Sequence, residues 1–258
     1  MKKYINTDRV VPAAFFLLLL AIWQLVCSAG LVAPYILPSP ISIVEAFFQN
    51  IGTMWGHILI TLEEAGIGFF LSIGMAIVIA MLMDSIPLVR KAIYPLILVS
   101  QTIPTIALAP LFVMWFGFGL LPKVVVVVLV CFFPIVVSLL DGLAGVDPDM
   151  VNLMRSMGAG RVQILRHLKL PAAAPSFFSG LRIAATYSIM GAVIGEWLGG
   201  SAGIGVFMMR VRKSFALDKM FAAIVVIVVL SMLLFWLLSV VENAAMPWQR
   251  LIRKEKSK

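Results

Sequence analysis

The sequence predicts an all-α membrane protein, and three observations make that prediction. Hydrophobic residues are 62% of the 258-residue chain and charged residues only 12%. A soluble domain carries about 25% charged residues. Apolar runs of the roughly 20 residues needed to cross a bilayer recur at about 11–30, 58–83, 92–115, 121–140, 176–198 and 219–242. The third observation is how little chain lies between those six runs, which leaves no room for a separate soluble domain. The chain divides into a first span with its outer connection (1–56), a main transmembrane region (57–246) and a basic tail (247–258).

Lys2, Lys3 and Arg9 precede the first run, as in a signal peptide. The run is long and no small-residue cleavage site follows it cleanly, so it reads as a retained span. Pro34, Pro38 and Pro40 of APYILPSP break any helix beyond it, and Ile41 to Phe48 reads as a short interfacial helix. The second span holds Glu63 and Glu64 at its outer boundary. A solvated helix end and the mouth of a transport path both fit that position. Asp84 to Lys91 reads as a short cytoplasmic turn with Pro87 as breaker.

The third span contains Gln101, Thr102, Pro104, Thr105 and Pro110. Prolines free backbone groups that need partners inside a membrane, so broken, polar segments belong against a cavity or another helix. Gln101 and Thr102 are therefore candidates to line a path, with helix–helix hydrogen bonding as the other reading. The fourth span, with VVVVVLVCFF, is β-branched, but its length decides for helix. The fifth contains Arg182, Tyr187 and Glu196, with Gly191 and Gly195 spaced for close helix packing. An ionisable residue such as Glu196 near a span end is a candidate path residue, as is Glu64. GGSAGIG, from Gly199 to Gly205, reads as a flexible outer connection.

Between the fourth and fifth spans lies the longest charged segment, 141–175. Asp147 caps a helix, Pro148 suits its first turn and Asp149 favours its positive end. Val151, Met154 and Met157 recur at helical spacing, and Gly158 and Gly160 break the helix. A second helical run with Val162, Leu165 and Leu168 should stop at Pro171. Arg155, Arg161, Arg166 and Lys169 place this helix–turn–helix on the cytoplasmic side. Its apolar face needs cover from the membrane domain, the lipid surface or a partner's groove.

Gly158, the nine residues after it, Leu168 and Leu170-Pro171 resemble the EAA loop of ABC-importer permeases. The triplet that names that loop is Asn152-Leu153-Met154 here, so its acidic residue is missing. QTIPTIALAPLFVMWFGFGLLPK and SGLRIAATYSIMGAVIGEWLGG are similar to the permease group for nitrate, sulfonates, taurine and pyrimidine precursors of thiamine, and the likeness covers about residues 35–245. The resemblance implies the six-span fold of a type I importer permease in the bacterial inner membrane. It implies a dimer, here of two copies, with ABC ATPase subunits docked on Asn152, Arg155, Gly158, Ala159, Leu168, Leu170 and Pro171. ATP and Mg would be bound by those subunits, so this chain is not itself expected to be an enzyme. A periplasmic or lipid-anchored solute-binding protein would deliver the substrate.

The candidate substrate path is Gln101, Thr102, Tyr187, Glu196 and Glu64. An amide, hydroxyls and a phenol suit a neutral or weakly basic aromatic ring with amino groups. The run from Arg182 to Gly200 also looks most like permeases for thiamine pyrimidine precursors, so a hydroxymethyl- or aminomethyl-pyrimidine is favoured over a sulfonate, taurine or nitrate.

Other function classes find less support. No Gly-Lys dipeptide occurs, which excludes a Walker A loop in this sequence. Cys27 and Cys131 sit in separate spans, and the only histidines are His57 and His167, so no metal site or catalytic set is expected. An ion-coupled secondary transporter should show midplane carboxylates and an internal repeat, and neither is evident. The net charge of +8 reflects basic residues at span ends rather than a nucleic-acid surface. Fourteen Lys and Arg fall in predicted cytoplasmic segments against five outside, which puts both termini inside. The five are Lys123, Arg210, Arg212, Lys213 and Lys219.

Overall fold

A computed structural model describes residues 7–247. The basic tail therefore lies almost wholly outside the described residues. Among those described, every regular element is a helix. Five helices are long and apolar enough to cross a membrane: α1 (Thr7–Ser28), α2 (Pro40–Ser85), α5 (Leu120–Ala144), α8 (Leu170–Gly199) and α10 (Leu217–Ala245). A sixth crossing is counted if the bent pair α3 (Pro87–Ser100) and α4 (Thr105–Phe116) forms one span. Three short helices complete the set: α6 (Pro148–Ser156), α7 (Arg161–Ile164) and α9 (Ile204–Lys213).

The centre is the α5–α8 pair. The buried face of α8 is a row of small residues, among them Ala173, Gly180, Ala184, Ser188, Gly191, Ala192 and Gly195. A Cβ on Gly180 would stand 2.6 Å from the Pro134 carbonyl oxygen, so the two backbones approach as closely as glycine permits. In lipid there is little hydrophobic drive between helices, and close van der Waals packing takes its place. Val127, Cys131, Ile135 and Val136 of α5 fill this seam with Ile189 of α8. Helix α2 closes the third side through Ala65, Ala76, Ala80 and Met83. Helices α1 and α10 lie outside and leave Leu17, Leu25, Leu233 and Trp236 exposed, as suits side chains that meet lipid.

Four expectations from sequence need correction. The interfacial helix at Ile41–Phe48 is the start of α2, which runs unbroken for 46 residues. Pro40 occupies its first turn and Ser39 caps it, so this proline begins the helix that it was expected to interrupt. The segment boundary at 56/57 consequently falls inside a helix. At about 1.5 Å per residue α2 is roughly 69 Å long, well beyond one bilayer crossing.

The third apolar run is not one continuous helix. Its two halves meet at 102° across Gln101–Pro104. Proline disfavours helical geometry in the residue before it, and Thr102 and Ile103 close tight turns onto the carbonyls of Val99 and Ser100.

Pro171 does not end the second helix of the 141–175 segment. Arg161 to Gly199 is continuous, with a π-helical turn at Leu165–Lys169. Leu170 N–H donates to Leu165 O there, five residues back. The widened turn makes room for the proline ring and absorbs its missing N–H.

The GGSAGIG connection is also tied down by hydrogen bonds, as described below.

Candidate functional site

Three places in the fold gather the residues that carry chemistry. The first is the 141–175 segment. Asp147 Oδ1 accepts from Asp149 N–H at 2.8 Å and starts α6. Gly158, with φ +84°, ends it. Ala159 N–H donates to Met154 O and Gly158 N–H to Arg155 O, both at 2.9 Å. This paired closure needs a left-handed residue at Gly158. Helix α6 has no buried residue. Asn152, Arg155, Leu153, Met150 and Met157 face outward, and so does Val162 beyond the turn. Leu168 lies half-buried in the π turn, with Leu170 and Pro171 exposed after it. The expected helix, glycine turn and helix are thus present, and among the described residues the exposed apolar side chains Met150, Leu153 and Met157 have no cover.

The second place is a cleft of about 500 Å³ at the broken span, lined by Ser100, Gln101, Thr105, Phe133, Pro134 and Tyr187, among others. Two of the five path candidates line it, Gln101 from the break after α3 and Tyr187 from α8. The chain break supplies Ser100 and Thr105 as well, which sequence reading did not single out as path residues. Thr102 does not line the cleft, because its hydroxyl turns back to Val99 O at 2.7 Å.

The third is a buried polar cluster at the end of the bundle opposite the 141–175 segment. Glu196 of α8 is 1% exposed, Glu64 of α2 2% and Lys123 of α5 5%. Thr61 Oγ1 donates to Glu196 Oε1 at 2.6 Å, and Gly205 N–H to Glu196 Oε2 at 2.5 Å. Ile204 N–H donates to Thr61 Oγ1 and Gly203 N–H to His57 Nδ1, each at 2.9 Å. Three successive N–H groups at the start of α9 are thereby satisfied by side chains of α2 and α8. Gly203 has φ +120°, and a Cβ there would collide with the Glu196 carboxylate.

Lys123 Nζ pairs with Glu64 Oε1 at 2.5 Å. Glu64 and Glu196 are therefore enclosed by protein rather than placed on the cleft with Gln101. Glu63 beside them is exposed. Lys123, counted from sequence as an outer charge, is instead buried against a partner 59 residues away. Arg182, which sequence placed within a span, pairs with Glu242 of α10. No group of three or more His, Cys, Asp or Glu among the described residues is arranged to hold a metal ion.

A family model described as "Binding-protein-dependent transport system inner membrane component" matches residues 68–246. That span holds α5, α8, the α6–α7 segment and both ends of the cleft. The chain belongs to the binding-protein-dependent transport system inner membrane component family.

Within this family, the formylaminopyrimidine transport permease protein ThiX of Halalkalibacterium halodurans is 41% identical over 241 residues, 93% of this chain and 96% of that protein. The taurine transport system permease protein TauC of Escherichia coli is 29% identical over 237 residues, 89% of this chain and 86% of that one. A solved structure of the MetNI methionine ABC transporter shares the fold, with TM-score 0.60, 18% identity and coverage of 75% of this chain and 94% of its own. This inner membrane component is accordingly a transport permease, all-helical among its described residues and with several helices apolar enough to cross a membrane.

Sequence spacing explains why the exposed segment was legible, while Glu64 and Glu196 were found without the Lys123 and Thr61 that join them. The α6–α7 segment is written in consecutive residues. The Glu64–Lys123 and Thr61–Glu196 contacts join residues 59 and 135 apart. The one local signal was a Glu, Lys or Thr lying within a helical turn or two of a span boundary.

Proposed function

We propose that this chain forms the membrane pathway of an ATP-driven importer for an amino-substituted pyrimidine. The hydroxymethyl- and aminomethyl-pyrimidine precursors of thiamine are the favoured cargo. The observation that carries the substrate reading is the 41% identity to a formylaminopyrimidine permease across nearly the whole chain, against 29% to a taurine permease. The cleft supports it chemically. Gln101 offers an amide, Ser100 and Thr105 offer hydroxyls, and Tyr187 offers a ring and a phenol. Such groups hydrogen-bond and stack on a neutral heteroaromatic ring, while a desolvated sulfonate needs fixed positive charge. Among the described residues no Lys or Arg lines the cleft.

In this reading the exposed apolar face of α6 and the turn at Gly158 dock an ATPase subunit, which holds ATP and Mg. A second copy of this chain completes the pathway, and a solute-binding protein delivers cargo at the α9 end. Both termini and the α6–α7 segment lie on the cytoplasmic side, following the basic residues.

The test is growth of a pyrimidine-synthesis mutant on limiting hydroxymethyl-pyrimidine, with and without this gene. Growth should require the gene. Unchanged growth together with lost use of an alkanesulfonate as sulfur source would reverse the substrate reading.

A further inference from the structure

Asp84 is the penultimate residue of α2, and Lys169 is the last residue of the π-helical turn. Lys169 Nζ donates to Asp84 Oδ1 at 2.7 Å and to Oδ2 at 2.9 Å. The side chains are 13% and 24% exposed, so water screens the pair only in part. The two residues are 85 positions apart. Among the described residues this is the ion pair that ties α2 to the exposed segment. The other two, Lys123–Glu64 and Arg182–Glu242, join spans to each other.

Little else fixes the segment against the bundle. Helix α6 buries nothing, and α7 buries only Ile164. A cleft of about 320 Å³ separates α6 and α7 from the end of α2, lined by Asp84, Val151, Arg155, Arg161, Leu165 and Lys169 among others. Among the described residues Asp84 is the sole acid facing that cleft, and Arg155, Arg161 and Lys169 are the bases. The π turn that ends at Lys169 is a local departure from α-helical geometry, of the kind at which helices kink. The segment therefore borders open space and meets the bundle through Ile164, Leu165 and one charged contact beside the π turn.

We propose that Asp84 and Lys169 are positioning residues for energy coupling. Their pair transmits movement of the α6–α7 segment to α2 when a docked ATPase moves that segment. The proposal rests on the ATPase-docking role given above.

The experiment uses the full chain purified with its ATPase and binding protein in liposomes. ATP hydrolysed and labelled hydroxymethyl-pyrimidine imported are measured together. Asp84→Asn and Lys169→Met should keep the ATPase bound yet raise the ATP consumed per solute about tenfold, within the range of ordinary coupling between sites. Lys169→Arg and the exchange Asp84→Lys/Lys169→Asp retain a pair and should hold or recover the wild-type ratio. A wild-type ratio in the neutral variants overturns the proposal, and so does an assembled exchange variant as uncoupled as they are. Should a neutral variant fail to assemble, the two pair-retaining variants decide on the same ratio. A wild-type chain that binds no ATPase fails the docking role instead, and that outcome is read before any variant.

Discussion

Thr61 and Glu196 lie 135 residues apart, yet the Thr61 hydroxyl donates a 2.6 Å hydrogen bond to the Glu196 carboxylate inside the helix bundle. The same hydroxyl oxygen accepts from Ile204 N–H. One small polar side chain thus joins α2 to α8 and both to α9. An unpaired polar group left in such a site costs about 1–3 kcal/mol. Thr61→Ser keeps the hydroxyl and should match wild type in thermal unfolding in detergent. Thr61→Val fills the space but strands Ile204 N–H and one carboxylate oxygen, and should lower the unfolding temperature clearly. Equal curves for the Ser and Val variants would show that the hydroxyl contributes nothing.

The Lys123–Glu64 pair gives a sharper contrast. Both side chains are almost fully shielded. Removing one partner of such a pair leaves a buried charge and costs about 3–5 kcal/mol, while replacing both is often near neutral. Lys123→Met should therefore reduce the yield of monodisperse protein severely. Adding Glu64→Gln should restore most of it. A double variant as poor as the single one would mean that packing, and not charge, dominates at this site.

Gly158 holds a left-handed turn with open space where a Cβ would stand. Gly158→Ala meets no neighbour and costs only the strain of that conformation, about 1–2 kcal/mol. It should insert normally and keep much of its transport. Gly158→Asp adds charge where an ATPase is proposed to dock, so insertion should remain while ATPase co-purification and uptake are lost. Full uptake with normal co-purification in the Asp variant would remove this turn from the docking surface.

Accessibility separates the two classes of polar residue in the bundle. In a chain without Cys27 and Cys131, a cysteine at Gln101 or Tyr187 should react with small aqueous thiol reagents, since both line the open cleft. A cysteine at Ala184, which has no exposed surface, should stay unreactive. Hydroxymethyl-pyrimidine should slow labelling at one of the cleft positions at least. Labelling at Gln101 and Tyr187 no faster than at Ala184 would place both in packed interfaces.

The sequence by itself determined the elements and their class. Six apolar runs specify spanning helices because a bilayer admits backbone only when its hydrogen bonds close within the segment. Gly158 and the Asp147 cap specify a turn and a start because their chemistry acts on neighbours in the chain. The α6–α7 segment was legible for the same reason. What the tertiary structure alone decided is which polar residues lie within reach of one another. Glu63 and Glu64 are adjacent in sequence, and helical rotation of about 100° per residue turns one outward and the other onto Lys123. Pro104 signalled a break, but only the 102° bend brought Gln101 opposite Tyr187. Thr61, Glu64, Lys123, Glu196 and Gly203 share one site because α2, α5 and α8 pack through small residues at close range. That proximity is set by the three-dimensional fit of whole helices and by the desolvation that follows it, and no local pattern of residues encodes either.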